Sequence, residues 1–177
     1  MEKYEEYKGY YYKIIQDDFA ESPGEWGNDF AFLIYQHRQF TVKKEGYNPT
    51  EIYSRLSGNL DTYPYDEEYY IYPVYAYIHS GVRLSLSNNS DNWDTSYSGF
   101  ILVSKEANNP TVIAEDLINT WNMYLSGEVY CYTIYNKIIC DKCNHVEYEE
   151  IESCCGFYGY EDCENEVKQF INKFYES

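Results

Sequence analysis

Basic residues are scarce in this chain of 177: thirteen lysines and arginines stand against thirty aspartates and glutamates, a formal charge of −17. Nucleic-acid binding relies on cationic side chains that release counterions from phosphates, so direct binding to DNA or RNA is not expected. Anionic membrane surfaces are disfavoured likewise. No run approaches the roughly 18 apolar residues of a membrane span. The opening MEKYEEYKGYYYK lacks a basic start followed by an apolar stretch, so no signal peptide is predicted and a cytoplasmic location is the expectation. Phosphate cradles are missing: there is neither GxxxxGK[ST] nor GxGxxG. Histidine occurs only at His37, His79 and His145, none in a motif with a nucleophile. Ser80 and Ser90 lack the GxSxG turn that would expose a nucleophilic serine. No enzymatic activity is expected on these grounds.

Tyrosine is plentiful, at twenty-four residues, and one residue in five is aromatic. High charge with few aromatics signals disorder; this aromatic content argues for a folded chain. Tyrosine buries a ring while keeping a polar tip, which suits half-wet sheet faces and interfaces. The length predicts a single domain over 1–177, with a small cysteine-containing appendage over 136–163 as an option.

The strand signals come first. Tyr10–Gln16, Phe30–Gln36, Tyr69–His79, Gly99–Ser104 and Val129–Tyr135 are rich in β-formers. Pro73 marks an edge or a bulge. Ser80-Gly81 turns the third segment into Val82–Leu86, a hairpin. Asp17–Asp29 and Asn88–Ser98 read as loops, and Pro49–Leu56 as a short helix in an irregular stretch. A longer helix is expected with Asn109 as its N-cap and Pro110 at its first position; it carries Glu115 and Asp116 near its positive end and stops at Ser126-Gly127. Residues 137–139 and 145–151 pair around Asp141-Lys142. Asp162 caps a last helix whose apolar face is Val167, Phe170, Ile171 and Phe174. Without βαβ alternation, the expected fold is α+β, an antiparallel twisted sheet with two helices packed on one face.

Six cysteines in a reducing cytoplasm are expected to be thiols or metal ligands and not a disulfide framework. Cys140-Asp141-Lys142-Cys143 is a CxxC, and a zinc knuckle takes two ligands from one such turn. His145, Cys154, Cys155 and Cys163 could supply a second pair, but without a second knuckle spacing. A structural zinc on Cys140 and Cys143 stands beside the plainer reading of small buried thiols. A thioredoxin-type role is disfavoured, because this CxxC opens no helix in a βαβ setting. Acids also cluster at Asp17-Asp18, Asp66-Glu67-Glu68, Asp91 with Asp94, and Glu149-Glu150. A carboxylate-metal hydrolase would need such groups, but no basic patch accompanies them, so it is the weaker alternative.

The acids are unevenly spread. His145 to Glu166 holds eight acidic residues, and Leu56 to Val82 holds four acids with seven tyrosines; neither stretch contains lysine or arginine. An ordinary solvated face intersperses both signs. Arginine–carboxylate pairs and tyrosine anchors gain most when a partner covers them. Asp66, Glu67, Glu68, Tyr69, Tyr70, Glu147, Glu149, Glu150 and Glu152 are therefore the candidate partner-binding residues.

Several segments together carry a resemblance: Glu21–Trp26; Tyr77–Gly81 with the serine-rich strand after it; Trp93–Glu106 (WDTSYSGFILVSKE); Tyr124–Tyr130; and Ser153–Gly159 (SCCGFYG). Over about residues 14 to 163 the chain resembles a family of small proteins of phages, plasmids and gut bacteria. One branch of it looks like type II-A anti-CRISPR proteins, inhibitors of an RNA-guided DNA nuclease. The resemblance implies a bacterial host cell, no catalytic residues, and a host nuclease as partner. Cys155 stands where a tryptophan often follows the first cysteine of the GFYG segment, and the Cys140 CxxC is not part of the pattern. The expected function is inhibition: carboxylates of a DNA-mimicking surface occupy the cationic nucleic-acid channel of a type II CRISPR effector. A zinc-stabilised protein-interaction module is the alternative.

Overall fold

The computed structural model describes residues 4–38, 40–56, 65–78, 81–87 and 95–176, with the side chains of 65, 66, 95–98 and 176 outside the description. The fold is α+β, and every strand pairing is antiparallel. The strands divide between two sheets, and the chain forms two compact units, 1–21 with 127–177 and 22–126. The two long helices therefore lie in different units. A sequence pattern marks which strand faces are apolar but not which strands share a sheet.

The first unit contains β1 (Glu5–Tyr7), β2 (Tyr10–Gln16), β8 (Val129–Ile139), β9 (Val146–Tyr158) and helix α4 (Tyr160–Glu176), with strand order β1-β2-β8-β9. Alternation along β2 and β8 sends Tyr12, Tyr132 and Ile134 to the helix side, where they meet Cys163, Val167 and Ile171. Fully burying an aliphatic side chain contributes about 1.5–3 kcal/mol, so this small core is what holds α4 to the sheet. Phe170 packs at its margin, and Phe174 is half exposed. Asp162 does not cap α4. The helix begins two residues earlier, after Gly159 (φ 99°), and Asp162 lies in its first turn beside Glu161.

The second unit contains β3 (Ala31–Gln36), β4 (Thr41–Val42), α1 (Pro49–Leu56), α2 (Tyr65–Glu68), β5 (Tyr69–Ile78), β6 (Val82–Ser85), β7 (Thr95–Ser104) and α3 (Pro110–Ser126). Its strand order is β4-β3-β7-β5-β6. The central strands β3 and β7 are apolar on both faces because both are covered. Leu33, Tyr35, Ile101 and Val103 pack toward Ala114, Ile118 and Trp121 of α3, while Phe32, Ile34, Phe100 and Leu102 meet Ile52 of α1. Pro73 lies in the part of β5 that β6 leaves unpaired, and the register shifts between Val74 and Tyr75. Gly99 permits the close approach of β3 and β7: a β-carbon there would collide with the Ile34 carbonyl and lie 2.9 Å from the Tyr35 ring.

Three local expectations change. β7 begins at Thr95, so the end of the expected polar loop is strand, paired with Tyr75–Tyr77. Glu115 and Asp116 fall beyond the first turn of α3, which holds no acid, so they gain little from the helix dipole. Asn109 precedes α3 with left-handed backbone (φ 60°), and its carbonyl accepts from Ile113 N–H at 3.2 Å.

Candidate functional site

The acidic surface is built on β9. Among the described residues this strand is the edge of its sheet and pairs with β8 alone. Glu147 lies opposite Ile138 and Glu149 opposite Asn136, whereas Tyr148 faces Lys137 and Glu150 faces Tyr135. Side chains alternate along a strand, so Glu147 and Glu149 share the side of Ile134 and α4, and Glu150 takes the opposite side. A register shift then inserts Ile151, and Glu152 pairs with Ile134. The bulge resets the alternation and returns Glu152 to the side of Glu147 and Glu149. Glu152 and Glu166 of α4 both raise the pKa of Tyr132, which is pushed up to about 12, first by burial.

The other side differs in charge. The Tyr148 ring stacks on Tyr4 at 4.3 Å and meets Tyr11 edge-on. The Lys13 amine lies 4.3 Å from the Tyr4 centroid, and that of Lys137 lies 5.4 Å from Tyr11. Glu150 thus shares its side with cations held over aromatic rings. Lys168 pairs with Glu164, and Lys44 with Asp29. Among the described residues, none of Glu147, Glu149, Glu150 and Glu152 takes part in an ion pair.

Glu67, Glu68, Tyr69 and Tyr70 lie in the second unit, at the junction of α2 and β5. The two glutamates and Tyr70 are exposed. Tyr69 is a packing residue: its ring meets Phe32 at 5.4 Å and Tyr47 at 6.1 Å, and its hydroxyl donates to the Asp29 carbonyl. The side chain of Asp66 lies outside the description, as do His79, Ser80, Ser90, Asp91 and Asp94.

The cysteines separate into distinct environments. Cys131 of β8 and Cys155 of β9 form a disulfide, with α-carbons 3.9 Å apart. The expectation of thiols throughout fails at this pair, because strand register sets the two side by side where spacing along the chain gives no sign of it. A carboxylate oxygen of Asp17 lies with both sulfurs inside 4.8 Å. Sulfurs already bonded to each other offer no thiolate to a metal. Cys163, in the first half of α4, is fully buried, and burial, followed by nearby Cys154, pushes its thiol up to about 12.

Cys140 and Cys143 sit at the turn between β8 and β9, fully in solvent reach. The turn is closed by Cys140 N–H donating to the His145 carbonyl at 2.9 Å and Asn144 N–H to the Cys140 carbonyl at 2.8 Å. Asn144 takes left-handed backbone, φ 53°. Hydrogen bonding from the Lys142 backbone, followed by that from Cys143, lowers the Cys140 thiol below its ordinary value. Among the described residues, no third histidine, cysteine or carboxylate atom joins these two sulfurs within 4.8 Å.

In the second unit a cavity of about 820 Å³ is lined by Tyr75, Arg83, Ser85, Glu115, Asn119 and Asn122, among others. Among the described residues its lining contains neither histidine nor cysteine, and Arg83 and Glu115 are the charged members. No helix among the described residues is long and apolar enough to cross a membrane. No protein-family model matches the chain, and neither a curated protein nor a solved structure does.

Proposed function

We propose that this chain is an acidic inhibitor whose β9 surface enters a cationic, nucleic-acid-binding channel of a host defence nuclease and excludes DNA. The observation that carries this reading is the set Glu147, Glu149 and Glu152, brought to one side of an edge strand by a bulge and lacking ion-pair partners among the described residues. Carboxylates arranged along an extended backbone offer arginine and lysine the hydrogen-bond acceptors that phosphates offer. Exposed edge strands invite pairing, and charge deters pairing with another acidic copy. The sequence resemblance points to a type II CRISPR effector as the target. In such an effector the protein holds nucleic acid through backbone contacts in a positive channel.

The test is binding of the intact chain to a guide-loaded type II effector at two salt concentrations. Affinity should fall steeply with added salt. The triple change Glu147→Lys, Glu149→Lys and Glu152→Lys should weaken it by about tenfold or more per charge. Glu106→Lys, at an exposed turn in the other unit, serves as the control. Binding that survives the triple reversal undiminished refutes the assignment.

A further inference from the structure

We propose that the turn between β8 and β9 is half of a tetrahedral zinc site, completed by the same turn of a second copy of this chain. Cys140 and Cys143 are both exposed, three positions apart in the turn that joins β8 to β9. The turn is preformed by two backbone hydrogen bonds and the left-handed Asn144, so binding costs little ordering of the chain. Structural zinc takes four protein ligands. The turn offers two thiols, and among the described residues no group of three donor atoms includes either of them. Two copies facing tip to tip supply four.

The surroundings of the tip fit a second copy. Ile138, Ile139 and Val146, next to the cysteines on both strands, are 41%, 53% and 39% exposed. Apolar side chains beside a metal bridge would be covered by their counterparts, as a two-fold contact requires. Two chains of charge −17 repel. Lys142 lies within the CxxC beside Asp141, and Lys137 lies two positions before Ile139, so the tip carries cations of its own. The chemistry is ligand exchange without oxidation: four thiols release four protons to solvent, and one zinc ion forms four sulfur bonds as its bound waters leave to solvent. This inference is independent of the inhibitor reading, which rests on other residues.

The experiment is titration of the full chain, kept oxygen-free so that its free thiols stay reduced and Cys131–Cys155 stays bonded, with zinc and with cobalt(II), read by metal content, sedimentation and absorption. The expected result is one metal per two chains, the intense visible bands of tetrahedral cobalt thiolate, and a dimer that a chelator returns to monomer. Cys140→Ser with Cys143→Ser should stay monomeric and bind no metal at the tip, with an unchanged circular dichroism spectrum showing that it folds. One metal per monomer, or a monomer without metal, overturns the proposal. So does a chain in which Cys140 and Cys143 persist as a disulfide with each other under these conditions.

Discussion

Asn122 of α3 grips Leu84 of β6 from both ends of its amide: the side-chain oxygen accepts the Leu84 N–H at 2.7 Å, and the side-chain nitrogen donates to the Leu84 carbonyl at 3.0 Å. Among the described residues β6 is the edge strand of its sheet, so no described strand neighbours these backbone groups. One side chain thus does for Leu84 what another strand would do.

Asn122→Ala leaves a buried N–H and carbonyl without partners, at a cost of about 2 kcal/mol. Asn122→Asp retains the acceptor, loses the donor, and should be destabilised as well. Denaturant midpoints with unchanged slope would report the loss. Full stability in both variants would show that water satisfies Leu84 equally well.

The Cys131–Cys155 disulfide closes a separation of 24 residues. Constraining a loop of that length in the unfolded chain contributes roughly 3 kcal/mol. Reductant should lower stability by about that amount in the parent. Cys131→Ser with Cys155→Ser should start at the lower stability and ignore reductant. Equal midpoints with and without reductant in the parent would contradict the structure at this pair.

Alkali should weaken the first unit before general denaturation. Cys163, Tyr132 and Tyr160 titrate near 12 in the folded chain, against ordinary values of 9 for the thiol and 10 for the phenols. Burial is the leading cause in each. A raised folded pKa means that the unfolded chain gives up its proton first. The stabilisation is therefore complete below pH 9 and drains away as pH climbs toward 12. Urea midpoints should fall between pH 8.5 and 10.5, and Cys163→Ala should show a shallower fall from a lower start. A slope identical to the parent's would exclude Cys163 as a contributor.

Salt should stabilise this protein. Like charges on the side of Glu147, Glu149 and Glu152 repel without ion-paired cations, and an ionic strength of 0.15 M shortens their reach to about 8 Å. Melting temperature should rise with sodium chloride. Glu149→Gln should hold or raise stability, within about 0.5 kcal/mol, as expected for an exposed site without specific contacts. A melting temperature that falls with salt would mean that attractive pairs outweigh repulsion.

Particular elements show what was legible from the chain. Tyr10–Gln16, Pro49–Leu56 and the helix from Pro110 to Ser126 appear with their expected limits. Their signals are local: β-branched and aromatic runs, a proline at a helix start, a glycine just past a helix end. The Asp141-Lys142 turn was legible too, though its strands continue to Val129 and Tyr158. Asp162 misled because a capping residue and a first-turn acid are the same residue type two positions apart.

Sequence alone determined the α+β class, the antiparallel pairing and the surplus of negative charge, since these follow from composition and short-range periodicity. Tertiary structure alone decided that the strands form two sheets, that Cys131 meets Cys155, and that a bulge at Ile151 gathers Glu147, Glu149 and Glu152 while sending Glu150 to the other side. The physical reason is that strand register is fixed by what the faces bury across the sheet. A shift of one residue exchanges the two faces, and no local propensity records it.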